Sequence, residues 1–366
     1  MLDKVLIIGG GIVGACFAYH AHLRGIKKIT VVSSALPGER SQATSNTWGW
    51  VNGYASNDKA YAAFRLASVQ YWPEFLKNII NLSPTSKGAF FWDQEEAEII
   101  QTIDQHQYWG HAVELMNELE VKKILPNLNI LPKRAGYGIN DLAIEGVKAT
   151  KEIFKVSKCE VINQEVSEII YENNQVTGVK TASGTIKADE VIIAAGLGSS
   201  TLLSTVGVDF KMKSSFGLLA YTNSLPPLIK HPVTGLDFHV RQDDEGRLII
   251  GGKFDDDDIS ENNITIAATK LVQDMSNKLN YNGHMVLDHY TLGERPLPID
   301  GRPKIGRLKN NLQKEINGLY LAVMHSGITN APLASKLGVE EIMSGKRHEL
   351  LKDFHPQKNM DNINNV

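Results

Sequence analysis

Long hydrophobic runs are absent from this sequence, and so is a surplus of charge of either sign. No apolar run approaches the ~20 residues that a membrane-spanning helix needs. The 366 residues carry a net charge of −3, so the composition implies no surface for nucleic acid or an acidic membrane. Because the chain also enters an apolar strand pattern almost at once, with no space for a signal peptide, we expect a cytoplasmic protein.

Cysteine is almost as scarce. The sequence has only Cys16 and Cys159, too few for a disulfide framework, and we expect both to be small buried residues rather than redox groups. The run Asp255–Asp258 is a candidate cation site, but four adjacent aspartates are more typical of a solvated loop. We therefore predict no metal.

The most informative stretch lies at the start of the chain. An apolar run, Val5–Ile8, is followed at once by Gly9, Gly11 and Gly14, then by a segment with helical spacing and a second apolar run, Ile29–Val32. This order predicts a dinucleotide-binding strand–turn–helix–strand unit. The first glycine permits a sharp turn, the second lets the backbone approach a pyrophosphate, and the third lets the helix pack on the strand.

One position departs from this pattern. An acidic residue normally ends the second strand, about 20 residues after the turn, and grips the ribose hydroxyls. Here Ser33 stands in its place. We expect Ser33 or Ser34 to make one hydrogen bond to the ribose instead.

The middle of the chain distinguishes between classes of dinucleotide fold. Short strands are predicted at 166–171, 176–181 and 185–187, separated by turn signals, before a fully apolar strand at 191–195 that ends at Gly196. A plain NAD-binding domain keeps alternating strand and helix. An antiparallel meander before a last parallel strand is the plan of FAD domains of the glutathione-reductase type.

The remaining segments give a coarser prediction. Residues 81–138 are interpreted as an irregular insertion, apart from a possible helix, and the aromatic side chains of residues 58–80 as core packing. The hydrophobic periodicity predicts helices over 58–80, 99–119, 141–157, 262–279 and 329–343, and strands over 213–221, 236–242, 248–253, 285–292 and 319–323.

Several motifs resemble the superfamily of FAD-dependent oxidoreductases that contains D-amino-acid oxidase, glycine oxidase and sarcosine oxidase. The loop TSNTWGWVN, residues 44–52, resembles the segment that wraps the flavin in less characterised members. The other motifs are GGGIVG at 9–14, VIIAAG at 191–196, GERP at 293–296, DGRPKIG at 300–306 and HSGITNAP at 325–332.

This resemblance implies a mixed α/β (α+β) fold in two parts. A Rossmann-like FAD domain with a β-meander is expected from residues 1–80, 139–212 and 293–366. A substrate domain with a mostly antiparallel sheet is expected from 81–138 and 213–292. The same resemblance, together with the motifs above, assigns the contacts to FAD to Gly9, Gly11, Ile12, Val13, Gly14, Ser33, Ser34, Thr44, Ser45, Trp48, Gly49, Val166, Ala195, Gly196, Gly327, Ile328 and Thr329.

The implied chemistry is oxidation of the C–N bond of an amino acid or secondary amine by hydride transfer to flavin N5, followed by hydrolysis of the imine. Arg295 stands where the family keeps an arginine for the substrate carboxylate. Arg241 is a second candidate, although a solvent-facing position is its more ordinary interpretation. His239 and His325 are catalytic candidates, and Trp50 and Tyr221 are candidate substrate contacts.

Other sequence features bear on the flavin attachment, the electron acceptor and the alternative functions. Neither cysteine matches a covalent flavin attachment point and no histidine follows Trp48, so FAD is expected to be non-covalent. Ile249 falls where sarcosine oxidases carry a lysine that aids the reaction with oxygen, so an electron acceptor other than oxygen stays open. A non-catalytic FAD-binding subunit or sensor is the main alternative. A flavin hydroxylase is disfavoured because the sequence has no Gly-Asp pair, and an NAD-dependent dehydrogenase because of the meander and the C-terminal motifs.

Overall fold

The computed structural model describes residues 2–39, 41–54, 58–252, 259–310 and 312–358. The acidic run Asp255–Asp258 lies outside these ranges. Short 3₁₀ turns occupy Ala43–Asn46, Gly196–Gly198 and Glu349–Phe354. The α-helices are α1 (Ile12–Leu23), α2 (Lys59–Leu76), α3 (Glu96–Tyr108), α4 (Glu118–Ile124), α5 (Gly146–Ser157), α6 (Ser199–Ser204), α7 (Glu261–Lys278) and α8 (Gly327–Ser344).

The strands belong to two large sheets. They are β1 (Lys4–Ile8), β2 (Lys28–Ser33), β3 (Trp50–Val51), β4 (Ser86–Phe91), β5 (Val113–Asn117), β6 (Arg134–Ala143), β7 (Glu160–Asn163), β8 (Val166–Glu172), β9 (Gln175–Thr181), β10 (Gly184–Lys187), β11 (Glu190–Ile193), β12 (Met212–Thr222), β13 (Val233–Thr234), β14 (His239–Gln242), β15 (Leu248–Gly251), β16 (Leu287–Pro298), β17 (Lys304–Lys309) and β18 (Glu315–Val323).

The first sheet is the predicted dinucleotide-binding sheet. Its order is β10-β9-β18-β11-β1-β2-β7, and β18, β11, β1, β2 and β7 run parallel. Strands β8, β9 and β10 form the predicted antiparallel meander. Strands β1, β2 and β11 are nearly continuous buried apolar runs, as expected where both faces of a parallel sheet are covered, whereas the edge strand β7 is largely exposed. Their carboxyl ends open at one edge, where such folds bind ligands.

The second sheet lies across that edge. Its order is β16-β12-β15-β14-β13-β4-β6-β3, with β5 paired to β6. Its pairings are antiparallel except that of β13 with β4. The long β12–β16 ribbon carries the predicted substrate residue Arg295, opposite Ser215. This sheet therefore supplies the roof of the site.

Three predictions for residues 81–157 are wrong. The segment 81–138 is not an irregular insertion, because it contributes β4, β5 and the first half of β6 to the second sheet. The helix predicted over 99–119 ends at Tyr108, since Gly110 adopts a left-handed backbone (φ 89°) and β5 follows. The helix predicted from residue 141 starts at Gly146, because residues 134–143 form β6.

The domain limits remain a prediction, but two of the predicted boundaries fall inside strands. The predicted boundary at 138/139 cuts β6 and the one at 292/293 cuts β16, and both strands lie wholly in the second sheet. Strand β3 also pairs there, although it falls within the segment assigned to FAD binding. We therefore place the boundaries of the proposed substrate domain at the strand ends.

The aromatic stripe of α2 packs in the core, as predicted. Phe64, Trp72 and Phe75 are each 0% exposed, and Tyr61 is also buried. Cys16 is buried on α1 and Cys159 is partly buried, and both are free thiols. Within the part of the chain that the structure describes, no helix combines the length and the apolar character needed to cross a bilayer.

Candidate active site

A crevice of ≈ 730 Å³ lies between the carboxyl ends of the parallel strands and the second sheet. Its floor includes the residues that follow β1, β11 and β18, and its roof includes residues of β12, β14 and β16. This volume falls within the range of small-molecule and cofactor sites. The crevice occupies the position where open parallel sheets bind dinucleotides.

The glycine turn forms one end of the floor. Gly9 has a left-handed φ of 119°, and a Cβ there would lie 2.3 Å from the Ala194 carbonyl oxygen. Gly14 faces inward, because its Cβ would lie 2.0 Å from the Gly9 oxygen, so this glycine packs α1 on β1 rather than lining the crevice. The first turn of α1 has no acidic residue and Gly11 offers no side-chain cap, so the N–H groups after that of Ile12, which donates to the Thr44 hydroxyl, are open to an anion.

The start of α8 opens into the same crevice. Ser326 is its N-cap residue but makes no side-chain cap bond, and the first turn holds no acidic residue. Gly327, Ile328 and Thr329 line the wall, and the Trp72 indole fixes this turn by donating to the Thr329 carbonyl oxygen (3.0 Å). Two helix N-termini whose N-cap residues make no side-chain cap bond therefore face one cavity, which suits a ligand with a pyrophosphate and a second electron-rich group.

The outer end of the floor contains the serines that replace the usual acid. Ser33 is buried and its hydroxyl donates to the Ala35 carbonyl oxygen (2.7 Å), so that hydrogen is already used within the chain. Ser34 is exposed, and both serines line the crevice. Val166 and the exposed carboxylate residue Glu165 face the same region. Hydrogen bonding to a ribose is thus more open to Ser34 than to Ser33.

The loop between β2 and β3 forms a side wall. Thr44 accepts a hydrogen bond from the Ile12 N–H (3.1 Å), which joins this loop to the start of α1. The Trp48 ring packs edge-on against His239, with centroids 4.9 Å apart, and also contacts Trp50. Gly49, at φ 80°, leaves no space for a side chain, since a Cβ would lie 2.1 Å from the Ile144 oxygen.

Trp50 is held by a buried carboxylate. Asp141 is 0% exposed and accepts hydrogen bonds from the Trp50 indole (3.1 Å) and the Gly53 N–H (3.2 Å). His111 Nε2 lies 3.7 Å from the same carboxylate. Burial raises the pKa of Asp141 above its usual range, against the hydrogen bonds that favour the ionised form. This arrangement fixes the Trp50 ring at the crevice wall.

The roof contributes a cation over a glycine. The Arg295 guanidinium lies against Gly217, where a Cβ would be 2.3 Å from its Nη2. Arg295 is exposed to the crevice and lies beside His239 and His325. Its positive charge lowers the pKa values of both histidines. Burial is the larger cause of both shifts, and each histidine has a pKa of about 4. Both imidazoles are therefore neutral at pH 7.

Two predicted substrate residues lie outside the crevice. The solvent-facing position expected for Arg241 is wrong. Arg241 is 2% exposed, pairs with Glu145 and donates to the Trp48 carbonyl oxygen. It therefore supports the wall from behind. Tyr221 is buried and its ring stacks on His289, with centroids 4.3 Å apart, away from the lining.

The structure brings most of the predicted site residues together. Gly14, Ser45, Arg241 and Tyr221 do not line the crevice. The predicted residues that do are Gly9, Gly11, Ile12, Val13, Ser33, Ser34, Thr44, Trp48, Gly49, Trp50, Val166, Ala195, Gly196, His239, Arg295, His325, Gly327, Ile328 and Thr329. Across the described ranges, no group of three or more His, Cys, Asp or Glu side chains is placed to hold a metal.

Three residues at or behind the wall are not among the predicted site residues. Asn52 and Ser326 line the crevice, and Arg65 donates hydrogen bonds to both from α2. Asn52 and Ser326 sit inside motifs already singled out, so the resemblance was the available signal. No local pattern marks Arg65, which lies within the aromatic stripe of α2.

Comparison with known proteins agrees with this geometry. Residues 4–341 match the DAO family model, described as FAD dependent oxidoreductase. Glycine oxidase of Bacillus licheniformis is 26% identical over 361 residues, with 92% of each chain covered. Hydrogen cyanide synthase subunit HcnC of Pseudomonas protegens is 22% identical over 392 residues, with 93% of each chain covered.

A solved structure shows the same fold. L-proline dehydrogenase from P. horikoshii superposes with a TM-score of 0.82 at 22% identity, and 97% of each chain is covered. The family match spans both sheets and ends within α8, so it includes the glycine turn, the roof strands and the second helix start. The chain therefore belongs to the DAO family of FAD-dependent oxidoreductases.

Proposed function

We propose that the protein oxidises the C–N bond of an amino acid or carboxylated secondary amine, using non-covalently bound FAD. The observation that carries this proposal is the position of Arg295: a guanidinium on the roof, beside two neutral histidines, above a floor that suits FAD. Glycine oxidase is a relative of this chain, and glycine is the simplest compound of the proposed class. A cytoplasmic location stays a prediction from the sequence.

The FAD-binding residues come from distant parts of the chain. The turn at Gly9–Gly11 and the start of α1 suit the pyrophosphate, Ser34 and Val166 the adenosine, and the start of α8 the pyrimidine end of the flavin ring. Bound FAD supplies a two-electron acceptor for a hydride equivalent from the carbon that carries the amine. The protein contributes binding, orientation and charge.

Arg295 orients the substrate. Its planar guanidinium pairs with a carboxylate through two parallel hydrogen bonds, which fixes both distance and direction. Trp48, Trp50 and Leu219 provide apolar walls around that position. The carboxylate is thereby anchored at the roof, and the carbon that bears the amine is directed toward the floor.

His239 and His325 are the proposed proton-handling residues. Each is neutral at pH 7, so each offers one donor and one acceptor nitrogen to the substrate amine or to water. The neutral amine is the form that gives up a hydride equivalent. Imidazoles that stay uncharged do not repel an incoming ammonium group while it loses its proton. The imine product then hydrolyses with one water.

Gly217→Ala is expected to displace Arg295 without unfolding the roof. The added Cβ would lie 2.3 Å from Arg295 Nη2 and 2.8 Å from Arg295 Cζ. Because the arginine side chain is flexible, we expect it to move before the strand does. We expect the affinity for a carboxylate ligand to fall about tenfold, roughly 1.4 kcal/mol, with unchanged melting temperature and FAD content. Titration of the flavin absorbance with acetate or propionate measures this.

Gly198→Ala is a suitable control for that substitution. Gly198 also lines the crevice, but its nearest neighbour would be the Ala195 Cβ at 3.9 Å, so the methyl fits. We expect wild-type carboxylate affinity. Equal affinity in Gly217→Ala and wild type would show that Arg295 does not hold the carboxylate.

FAD attachment is proposed to be non-covalent. Among the crevice-lining residues of the described ranges there is no cysteine, and Cys16 is buried on α1. The purified protein should show the two-band flavin spectrum, and acid should release all of the flavin into solution. Flavin that stays with the precipitated chain would contradict this attachment and direct attention to His239 or His325.

The electron acceptor is proposed to be one other than oxygen. Ile249 is 1% exposed and packs with Leu219 and Trp48, so no cation stands at that position.

A role as the FAD-binding subunit of a larger complex is the second candidate, because the Pseudomonas protegens relative is named as a subunit. Flavin reduction by a substrate in the isolated chain would separate a complete catalyst from a binding subunit.

A further inference from the structure

Arg65 places a buried positive charge directly behind the crevice wall. It lies on α2 and is 2% exposed. Its Nη1 donates to the Ser326 hydroxyl (2.6 Å) and reaches the Tyr61 hydroxyl at 3.5 Å. Its Nη2 donates to the Asn52 carbonyl oxygen (3.1 Å) and to the Asn52 side-chain amide oxygen. All four acceptors are neutral.

No carboxylate pairs with this guanidinium among the residues that the structure describes. Its Nε has no acceptor either. Arg241, which is buried to the same extent, has Glu145 as its partner. An arginine stays protonated at any working pH, and a buried charge without a counter-ion is costly. Within the described residues, no ion pair therefore compensates the positive charge of Arg65, which is also placed over the Tyr61 ring.

The charge is directed at one part of the crevice. Asn52 and Ser326, which accept from Arg65, both line it, and Ser326 precedes the open N–H groups of α8. The Asn52 N–H also contacts the Thr329 hydroxyl (3.4 Å). The field of Arg65 and the positive end of α8 therefore add at the same place. The pKa of His325 shows the same field, since Arg65 is one of the groups that lower it after burial and Arg295.

We propose that Arg65 is a positioning residue that, through Asn52 and Ser326, stabilises negative charge on bound FAD and so raises its reduction potential. A reduced flavin carries negative charge at its pyrimidine end, and charge near that end is a main means by which a protein tunes the cofactor. The electrons that FAD accepts would then bring the counter-charge that Arg65 lacks. The inference rests on the FAD-binding part of the proposed function and not on the amine substrate.

The test compares FAD-loaded wild type with Arg65→Gln and Arg65→Lys. Glutamine keeps donors for Asn52 and Ser326 without the charge, and lysine keeps the charge. Two substrate-free measurements are made: the reduction potential by equilibration with a reference dye, and the dissociation constant of sulfite, which adds to oxidised flavin and leaves it negatively charged. Arg24→Gln, at a surface arginine at the end of α1, is the matched control.

For Arg65→Gln we expect at least tenfold weaker sulfite binding and a tenfold shift of the reduction equilibrium, about 30 mV for two electrons. Arg65→Lys should recover most of both, and Arg24→Gln should match wild type. If Arg65→Gln retains FAD with unchanged potential and sulfite affinity, Arg65 is only structural and the proposal is wrong.

Loss of FAD from Arg65→Gln does not end the test. Asn52→Asp then supplies a carboxylate against the guanidinium while leaving Arg65 in place. A fall of tenfold or more in sulfite affinity supports the proposal, and an unchanged value overturns it. Because no amine is used, failure to find a substrate would bear on the proposed reaction and leave this result untouched.

Discussion

Arg295→Ala should weaken binding of a carboxylate ligand to the FAD-loaded protein by about 2–3 kcal/mol, which is roughly 30- to 150-fold. The guanidinium is the positively charged side chain that the second sheet presents at the roof of the crevice, over Gly217. Truncation removes both hydrogen bonds of a bidentate pair and leaves the carboxylate against apolar walls. Arg295→Lys should recover only part of the loss, because an ammonium lacks the planar fork.

Flavin absorbance titrations with acetate and propionate measure this effect. Arg247→Ala is a matched control, since Arg247 lies in the turn between β14 and β15 of the second sheet, packs near Tyr221 and does not line the crevice. It should bind carboxylates as wild type does. Unchanged affinity in Arg295→Ala, with normal FAD content, would remove Arg295 from the site and with it the carboxylate-based choice of substrate.

Gly14→Ala should abolish tight FAD binding and destabilise the fold by about 3 kcal/mol. The new methyl would lie 2.0 Å from the Gly9 carbonyl oxygen and 3.1 Å from its carbonyl carbon, and neither backbone atom can give way without moving the turn. Helix α1 must then shift off β1, which carries the N–H groups of its first turn away from the pyrophosphate position.

The measurement is FAD content after gel filtration, together with the melting temperature of the apoprotein. Gly25→Ala is the control, because Gly25 follows α1 at φ 77° with no atom within 4 Å of a new Cβ. The left-handed backbone at this position should lower the free energy of unfolding of Gly25→Ala by about 1 kcal/mol. The FAD content should stay unchanged. Full FAD occupancy in Gly14→Ala would show that the contact of α1 with the turn is described wrongly.

The first sheet was predictable because its signals are local. The strand Val5–Ile8, the glycine turn and the meander are each encoded within a few residues. The structure bears out the fold class, the meander and the helix that begins near Thr329. In the parallel strands, burial on both faces gives uninterrupted apolar runs that a sequence shows directly.

The strands of residues 81–143 were missed because glycines interrupt their pattern. Gly88 adopts φ 75°, and Gly136 leaves space for the Phe91 ring, which a Cβ would meet at 2.3 Å. Gly138 similarly faces the Asp141 carboxylate. In sequence, glycines at such spacing indicate turns. Here they leave space for the side chains of Tyr137, Phe91 and Asp141, which lie over the glycines.

The burial of two arginines is the second feature that could not be predicted from the sequence. Arg241 lies on a strand with alternating pattern and was interpreted as solvent-facing, and Arg65 lies in an aromatic helix and was not singled out. Both are 2% exposed. Their acceptors come from residues distant in sequence: Glu145 for the first, Ser326 for the second. Only the folded chain brings these groups together, so no local pattern distinguishes a buried cation from a surface one.

Anaerobic mixing of the FAD-loaded protein with candidate amines tests the central claim most directly. The compounds are glycine, N-methylated amino acids, L- and D-amino acids, proline and opine-like secondary amines, each beside its decarboxylated counterpart, with dithionite giving the fully reduced reference spectrum. We predict that at least one carboxylated amine bleaches the flavin completely, while its counterpart without a carboxylate does so far more slowly. Reduction by amines that lack a carboxylate, with none by those that carry one, would contradict the account.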